Sequence, residues 1–133
     1  MREGWCGDEY LILFDKDADR FHGDYGLALT LPGYRLVGLR AWDDFIVEDS
    51  LGARFTIPTV PTDLTYIAPF VMPEGAALQP DDKVRGHIKW YVTPLVFGGD
   101  PNPGDNVTWI TIDQHAKLVV WWNQKYRELR AGT

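Results

Sequence analysis

Thr108 to Arg130, TWITIDQHAKLVVWWNQKYRELR, decides the fold class. It opens with strand-forming residues and passes without a break into an amphipathic helix. Thr111 and Gln114 have the spacing of a capping box, in which each side chain satisfies the other's backbone N–H. Asp113 places negative charge at the positive end of the helix dipole. On a helical wheel His115, Leu118, Val119, Trp122, Tyr126 and Leu129 share one face, with Lys117, Gln124 and Glu128 opposite. Val120 and Trp121 fall outside that face, so the helix carries more apolar surface than one contact requires. Lys125, Arg127 and Arg130 gather near its C-terminal end, where cations are favoured. His115 is expected to hydrogen-bond a strand carbonyl from the inward face.

Upstream of this segment the chain reads mainly as strand. Tyr10 to Phe14 is a five-residue apolar run, expected to be a buried strand. Asp15 to Tyr25 is polar and acidic and reads as a loop or one short helical turn. Tyr34–Arg40, Asp43–Glu48 and Ala53–Ile57 form a meander, with a turn at Asp49-Ser50-Leu51-Gly52. Phe45 and Val47 alternate with Asp44, Ile46 and Glu48, and Phe55 and Ile57 with Arg54 and Thr56. That period of two predicts one buried face and one at least partly wet. Pro58, Pro61, Pro69, Pro73 and Pro80 exclude a central strand or long helix from the middle of the chain. An ordered crossover is expected there, pinned by Tyr66 and Phe70, with a short helical turn near Asp63–Ile67. His87–Phe97 returns to strand character, interrupted by Pro94. Gly98 to Asp105 is a tight polar loop, and Asn106–Ile112 is the last strand. Strands followed by a terminal helix predict an α+β fold: a mainly antiparallel, twisted sheet with the C-terminal helix packed on one face.

The 133 residues fit one domain spanning 1–133, and 45% hydrophobic residues are ample for its core. A net charge of −6 repels phosphate backbones, so nucleic acid is not an expected partner. Such a surface favours encounter with a basic protein. Cys6 is the single cysteine, so no intrachain disulfide can form and a reducing compartment is expected. The first ten residues hold no apolar run of signal-peptide type, and no stretch reaches the length of a membrane span. The expectation is a cytoplasmic protein with no membrane partner.

The motifs that carry chemistry are weak. Asp15-Lys16-Asp17-Ala18-Asp19 has the carboxylate spacing that opens a calcium loop. Arg20 then stands where the sharp-turn glycine belongs, and Gly26 where the closing glutamate belongs, so a solvated acidic loop accounts for it better. Asp100, Asn102 and Asp105 are turn formers beside two prolines. Trp5-Cys6-Gly7 lacks the second cysteine of a redox motif. A Cys6 nucleophile would need His22, His87 or His115 beside it, and no local signature supports any of these pairings. The histidines lack metal-ligand spacing. Asp43 and Asp44 are adjacent strand residues that point to opposite faces, so they do not converge for acid–base work. No catalytic residue, metal or cofactor is expected.

The aromatic residues remain. Trp42, Trp90, Tyr91, Trp109, Trp121 and Trp122 cannot all sit centrally in so small a core. Surplus Trp and Tyr at a surface are typical of interfaces. The preferred expectation is a non-enzymatic binder of a basic protein, with Trp42, Asp43, Asp44, Trp90, Trp121 and the carboxylates Asp15, Asp17, Asp19 and Asp24 as contacts. A second expectation is a small-ligand or carbohydrate-binding module, in which Trp90, Tyr91 and Trp109 line a concave pocket. Exposed aromatics would equally serve a homodimer.

Tyr34-Arg35-Leu36-Val37-Gly38-Leu39, then Asp43-Asp44-Phe45-Ile46-Val47-Glu48-Asp49 with Gly52, resembles the central meander of the SUKH superfamily. Pro94-Leu95-Val96-Phe97-Gly98-Gly99-Asp100, ahead of a final strand and helix, is similar to a later part of that pattern. The resemblance implies a single SUKH-like α+β domain. It also implies a bacterial immunity protein that neutralises a toxin, for which the acidic and aromatic surface suggests occlusion as the mechanism.

Overall fold

The computed structural model describes residues 2–7, 9–40, 44–71, 77–80, 87–91 and 107–131. Six strands form one sheet in sequence order: β1 (Arg2–Cys6), β2 (Glu9–Leu13), β3 (Arg35–Arg40), β4 (Asp44–Glu48), β5 (Arg54–Pro58) and β6 (Ala68–Pro69). Every neighbouring pair is antiparallel. Between β2 and β3 lie two short helices, α1 (Ala18–Asp24) and α2 (Leu27–Thr30). A separate antiparallel pair, β7 (His87–Tyr91) and β8 (Val107–Thr111), leads into α3 (Ile112–Ala131). The fold is α+β, with the C-terminal helix packed on the sheet.

Local chemistry explains the expected elements. The β4–β5 turn closes because Asp49 Oδ1 accepts from the backbone N–H groups of Leu51 and Ala53, both at 2.9 Å. Gly52 supplies the left-handed residue at φ 85°. At the start of α3, Gln114 N–H donates to Thr111 Oγ1 at 3.2 Å and Thr111 N–H donates to Gln114 Oε1 at 3.0 Å, the reciprocal box that the spacing predicts. A 3-10 turn at Leu64–Tyr66 falls within the predicted helical turn, and Asp63 Oδ1 caps it by accepting from Thr65 N–H at 2.9 Å.

Several elements differ from the sequence expectation. β1 is a strand although Arg2–Cys6 contains no apolar run. Its pairing with β2 and a bridge from Trp5 to Gln79 hold it in place. Asp15–Tyr25 is more than a loop with one turn. Ala18, Phe21 and Tyr25 recur at i, i+3 and i+7, and all three are buried on α1 and its C-cap. Tyr66 is 53% exposed, whereas Phe70 packs beneath the sheet. Residues 92–106, with the Pro94 interruption and the polar loop, lie outside the described residues.

The sheet buries both faces. On one, Tyr10, Ile12, Phe14, Leu36, Leu39, Phe45, Val47 and Ile57 meet α1, α2, β7 and α3 in the main core. On the other, Leu11, Leu13, Ile46 and Leu78 form a second cluster with Cys6, Val37 and Phe70 against it. The face expected to be partly wet is therefore dry at Ile46, because the segment around Leu78 covers it. Full burial of each such apolar side chain stabilises by about 1.5–3 kcal/mol relative to exposure. Gly38 lies beside a bulge in β3, where an added Cβ would fall 2.6 Å from the Ile12 carbonyl oxygen. Only glycine lets β2 and β3 approach so closely at this point.

On α3 the buried stripe is Ile112, His115, Ala116, Val119 and Asn123. It is rotated from the predicted face. Leu129 is 59% exposed, and Asn123, a polar residue, takes an inward position. None of the described helices is long and apolar enough to cross a membrane.

Candidate functional site

The residues expected to meet a partner fall in different surroundings. Trp42 and Asp43 lie outside the described residues. Trp90 is 4% exposed and sits edge-on to His115 at 4.9 Å between ring centroids, so it is a core residue and not a contact. The register of the β7–β8 hairpin sets Trp90 opposite Thr108 and Trp109 opposite Lys89. The two indoles thus occupy opposite faces and cannot line one concave pocket. The Trp109 ring is half-exposed and rests edge-on against Tyr10, while the Tyr91 side chain lies outside the described residues.

Asp44 is engaged within the fold. Arg40 Nε and Nη2 both donate to Asp44 Oδ2, at 3.0 and 2.6 Å, and only 14% of the Asp44 side chain is exposed. Burial pushes its carboxyl above the ordinary aspartate range. Arg40 opposes that rise, and Glu9 adds to it. Asp44 is therefore a poor first contact for a cation.

The acids of α1 and its approach stand outward. Asp15, Asp17, Asp19 and Asp24 are all exposed. Asp19 approaches Arg35 at 3.8 Å with 92% of its side chain in solvent. Among the described residues no three His, Cys, Asp or Glu side chains form a group able to hold a metal. Trp121 is 51% exposed, with its ring edge-on to Trp122 at 4.8 Å and the Lys125 ammonium 5.6 Å from its centroid.

The histidine and cysteine residues occupy separate environments. His115 is fully buried, and its Nδ1 lies 2.6 Å from the Tyr25 hydroxyl. Burial, with Asp24 and Asp113 nearby, holds the Tyr25 phenol well above its ordinary value. A protonated phenol is a hydrogen-bond donor, so its natural partner is an unprotonated Nδ1. The pair is an internal polar tie between α1 and α3. His22 Nδ1 accepts from Leu36 N–H at 3.3 Å. Cys6 packs against the second cluster, whereas His115 belongs to the main core, so the sheet separates thiol from imidazole.

A groove not anticipated from the sequence runs along one flank of α3. Tyr25, Gly26, Leu29, Thr30, Thr62, Val120, Asn123 and Arg127 line a cavity of about 400 Å3. A second, of about 420 Å3, shares Thr30, Thr62, Asn123 and Arg127 and continues to Asp63, Leu64, Tyr126 and Arg130. Asn123 builds the floor. Its Oδ1 accepts from Thr62 N–H at 2.7 Å, and its Nδ2 faces the Thr59 and Val119 carbonyl oxygens at 2.7 and 3.0 Å. These bonds clamp the Thr59–Thr62 loop onto the helix. Gly26, left-handed at φ 67°, turns the chain from α1 into α2 and leaves Leu29 90% exposed at the rim. The available sequence signals were Val120 outside the predicted apolar face and Asn123 four residues after Val119. Neither discloses the loop that meets them.

No known protein family, curated protein or solved structure matches the chain.

Proposed function

We propose that this chain is a non-enzymatic protein-binding domain. Within that class we infer a cytoplasmic immunity protein of SUKH type that blocks a basic toxin by occlusion. The observation that carries the reading is the outer surface of the helical layer. Leu29, Val120, Trp121 and Leu129 are large apolar side chains left exposed there. The outward carboxylates of Asp15, Asp17, Asp19 and Asp24 belong to the same layer. Exposed large apolar side chains, Trp above all, are the usual anchors of a protein interface. The net charge of −6 favours fast association with a cationic partner and disfavours nucleic acid.

The test is titration calorimetry against the purified product of the neighbouring gene. Complex formation, with affinity reduced about tenfold or more by Trp121→Ser combined with Asp19→Lys, is expected for an interface anchor. The melting temperature of that variant should match the parent. Absence of any complex, or affinity unchanged in the variant, overturns the reading.

A further inference from the structure

We propose that the groove beside α3 receives a short segment of the partner's chain, with an acidic side chain on Arg127 and an apolar one against Leu29 and Val120. The inference rests on the protein-binding reading and specifies the chemistry that the groove selects.

Length comes first. The two cavities share four lining residues and so adjoin along the helix as one groove. It follows α3 from Val120 to Arg130, about 15 Å at the helical rise. An extended chain covers that distance with about five residues.

Charge comes second. Arg130 is engaged by Asp63, with Nη1 2.9 Å from Oδ2, and by the Tyr126 hydroxyl at 3.2 Å. Lys125 lies 3.8 Å from Glu128. Arg127 lines both cavities, and no described residue forms an ion pair or hydrogen bond with it. The other polar groups of the floor bind one another. Thr62 Oγ1 donates to the Thr59 carbonyl at 2.8 Å and receives Asn123 Nδ2 at 3.0 Å. Selectivity in the channel therefore falls on one guanidinium, whose planar fork matches a carboxylate.

Shape decides between a peptide and a small molecule. Ligand sites of this volume usually enclose most of their ligand. Here Leu29 stands almost fully in solvent at the rim, so a small acid would leave it uncovered. A chain segment with neighbouring side chains covers it. Asp24 immediately precedes the Tyr25–Gly26 end of the channel and is exposed. The segment should thus read basic, then apolar, then acidic from the α2 end towards Arg130. A single carboxylate inside an otherwise cationic partner reconciles this local preference with the overall acidity of the chain.

The experiment is selection from a random heptapeptide phage library on the full-length protein and, in parallel, on Arg127→Glu. Peptides with Asp or Glu close to an apolar residue should enrich on the parent, and the variant should exchange that acid for Lys or Arg. A synthetic copy of the leading peptide should lose about tenfold in affinity with Arg127→Gln, as expected for a hydrogen bond to a charged group. Its amide shifts should cluster at Leu29, Thr62, Val120 and Arg127. No enrichment, no acidic preference, an unchanged selection on Arg127→Glu, or shifts elsewhere would each overturn the proposal. If the neighbouring gene product binds but is indifferent to Arg127→Glu, the groove assignment falls and the protein-binding reading stands. Peptide selection on the groove without a complex with that gene product leaves the groove standing and rejects only the toxin-blocking reading.

Discussion

The first two turns of α3 and its last two are continuous in backbone and opposite in surroundings. In the first, His115, Ala116 and Val119 are buried among β7, β8, α1 and the main sheet. In the last, Arg127, Glu128, Leu129 and Arg130 are all exposed. Hydropathy does not separate the two ends, because a histidine is fully buried in one and a leucine is left in water in the other. What separates them is the support beneath. A helix of 20 residues is about 30 Å long, and its C-terminal portion carries the outer end of the groove on its flank. The front of α3 builds the fold, and the rear presents a surface.

The strongest challenge to that division is a charge placed at each end. Val119→Asp puts an unpaired carboxylate into the core, and the expected loss of several kcal/mol approaches the whole stability of a small domain. Circular dichroism should show no cooperative melt, whereas Leu129→Asp should melt with the parent. Asn123→Ala lies where the two regimes meet. It strands the Thr62 N–H, takes one of two donors from the Thr59 carbonyl, and should cost about 2 kcal/mol in urea unfolding. A cost below about 0.5 kcal/mol, the level of an ordinary surface change, would show that the loop is not clamped by this amide. Tyr25→Phe should cost about 1 kcal/mol by removing the partner of His115 Nδ1.

The smallest effects are in pH, and they have opposite signs. The backbone and side-chain bonds from Thr65, helped by Arg130, hold the Asp63 carboxyl below the ordinary aspartate range. Its stabilisation is fully present above that range and fades as pH falls through the lowered value. Burial raises Asp44, so its contribution runs the other way, and stability falls as pH rises from the ordinary range through the raised value. Melting temperatures recorded against pH should therefore converge at the acid end for parent and Asp63→Ala. For Asp44→Asn, the parent should lose ground to the variant as pH rises through the same region. Parallel curves in either case would show that the group does not titrate differently on folding.

Much of the architecture was legible because it is written locally. The meander follows from alternation, the β4–β5 turn from Asp49 and Gly52, and the start of α3 from Thr111 and Gln114. β1 was not legible, because Gly4 and Trp5 sit among polar residues and only β2 and Gln79 make them a strand. The rotation of α3 was hidden for a related reason. Asn123 is drawn inward by a loop 61 positions earlier in the chain, and no helical wheel contains that loop. The candidate site suffered most. Trp90 and Trp121 look alike as surplus indoles, yet β7 takes one into the core while α3 leaves the other outside. The groove needs α2, the Thr59–Asp63 loop and α3 together, and its ligand chemistry is shared among segments that no local motif joins.

β8 ends at Thr111 and α3 begins at Ile112, with the capping box across the junction. No residue lies between them to act as a hinge, so the direction of β8 fixes the direction in which α3 starts. An insertion at this junction would therefore disturb the hairpin and the helix together.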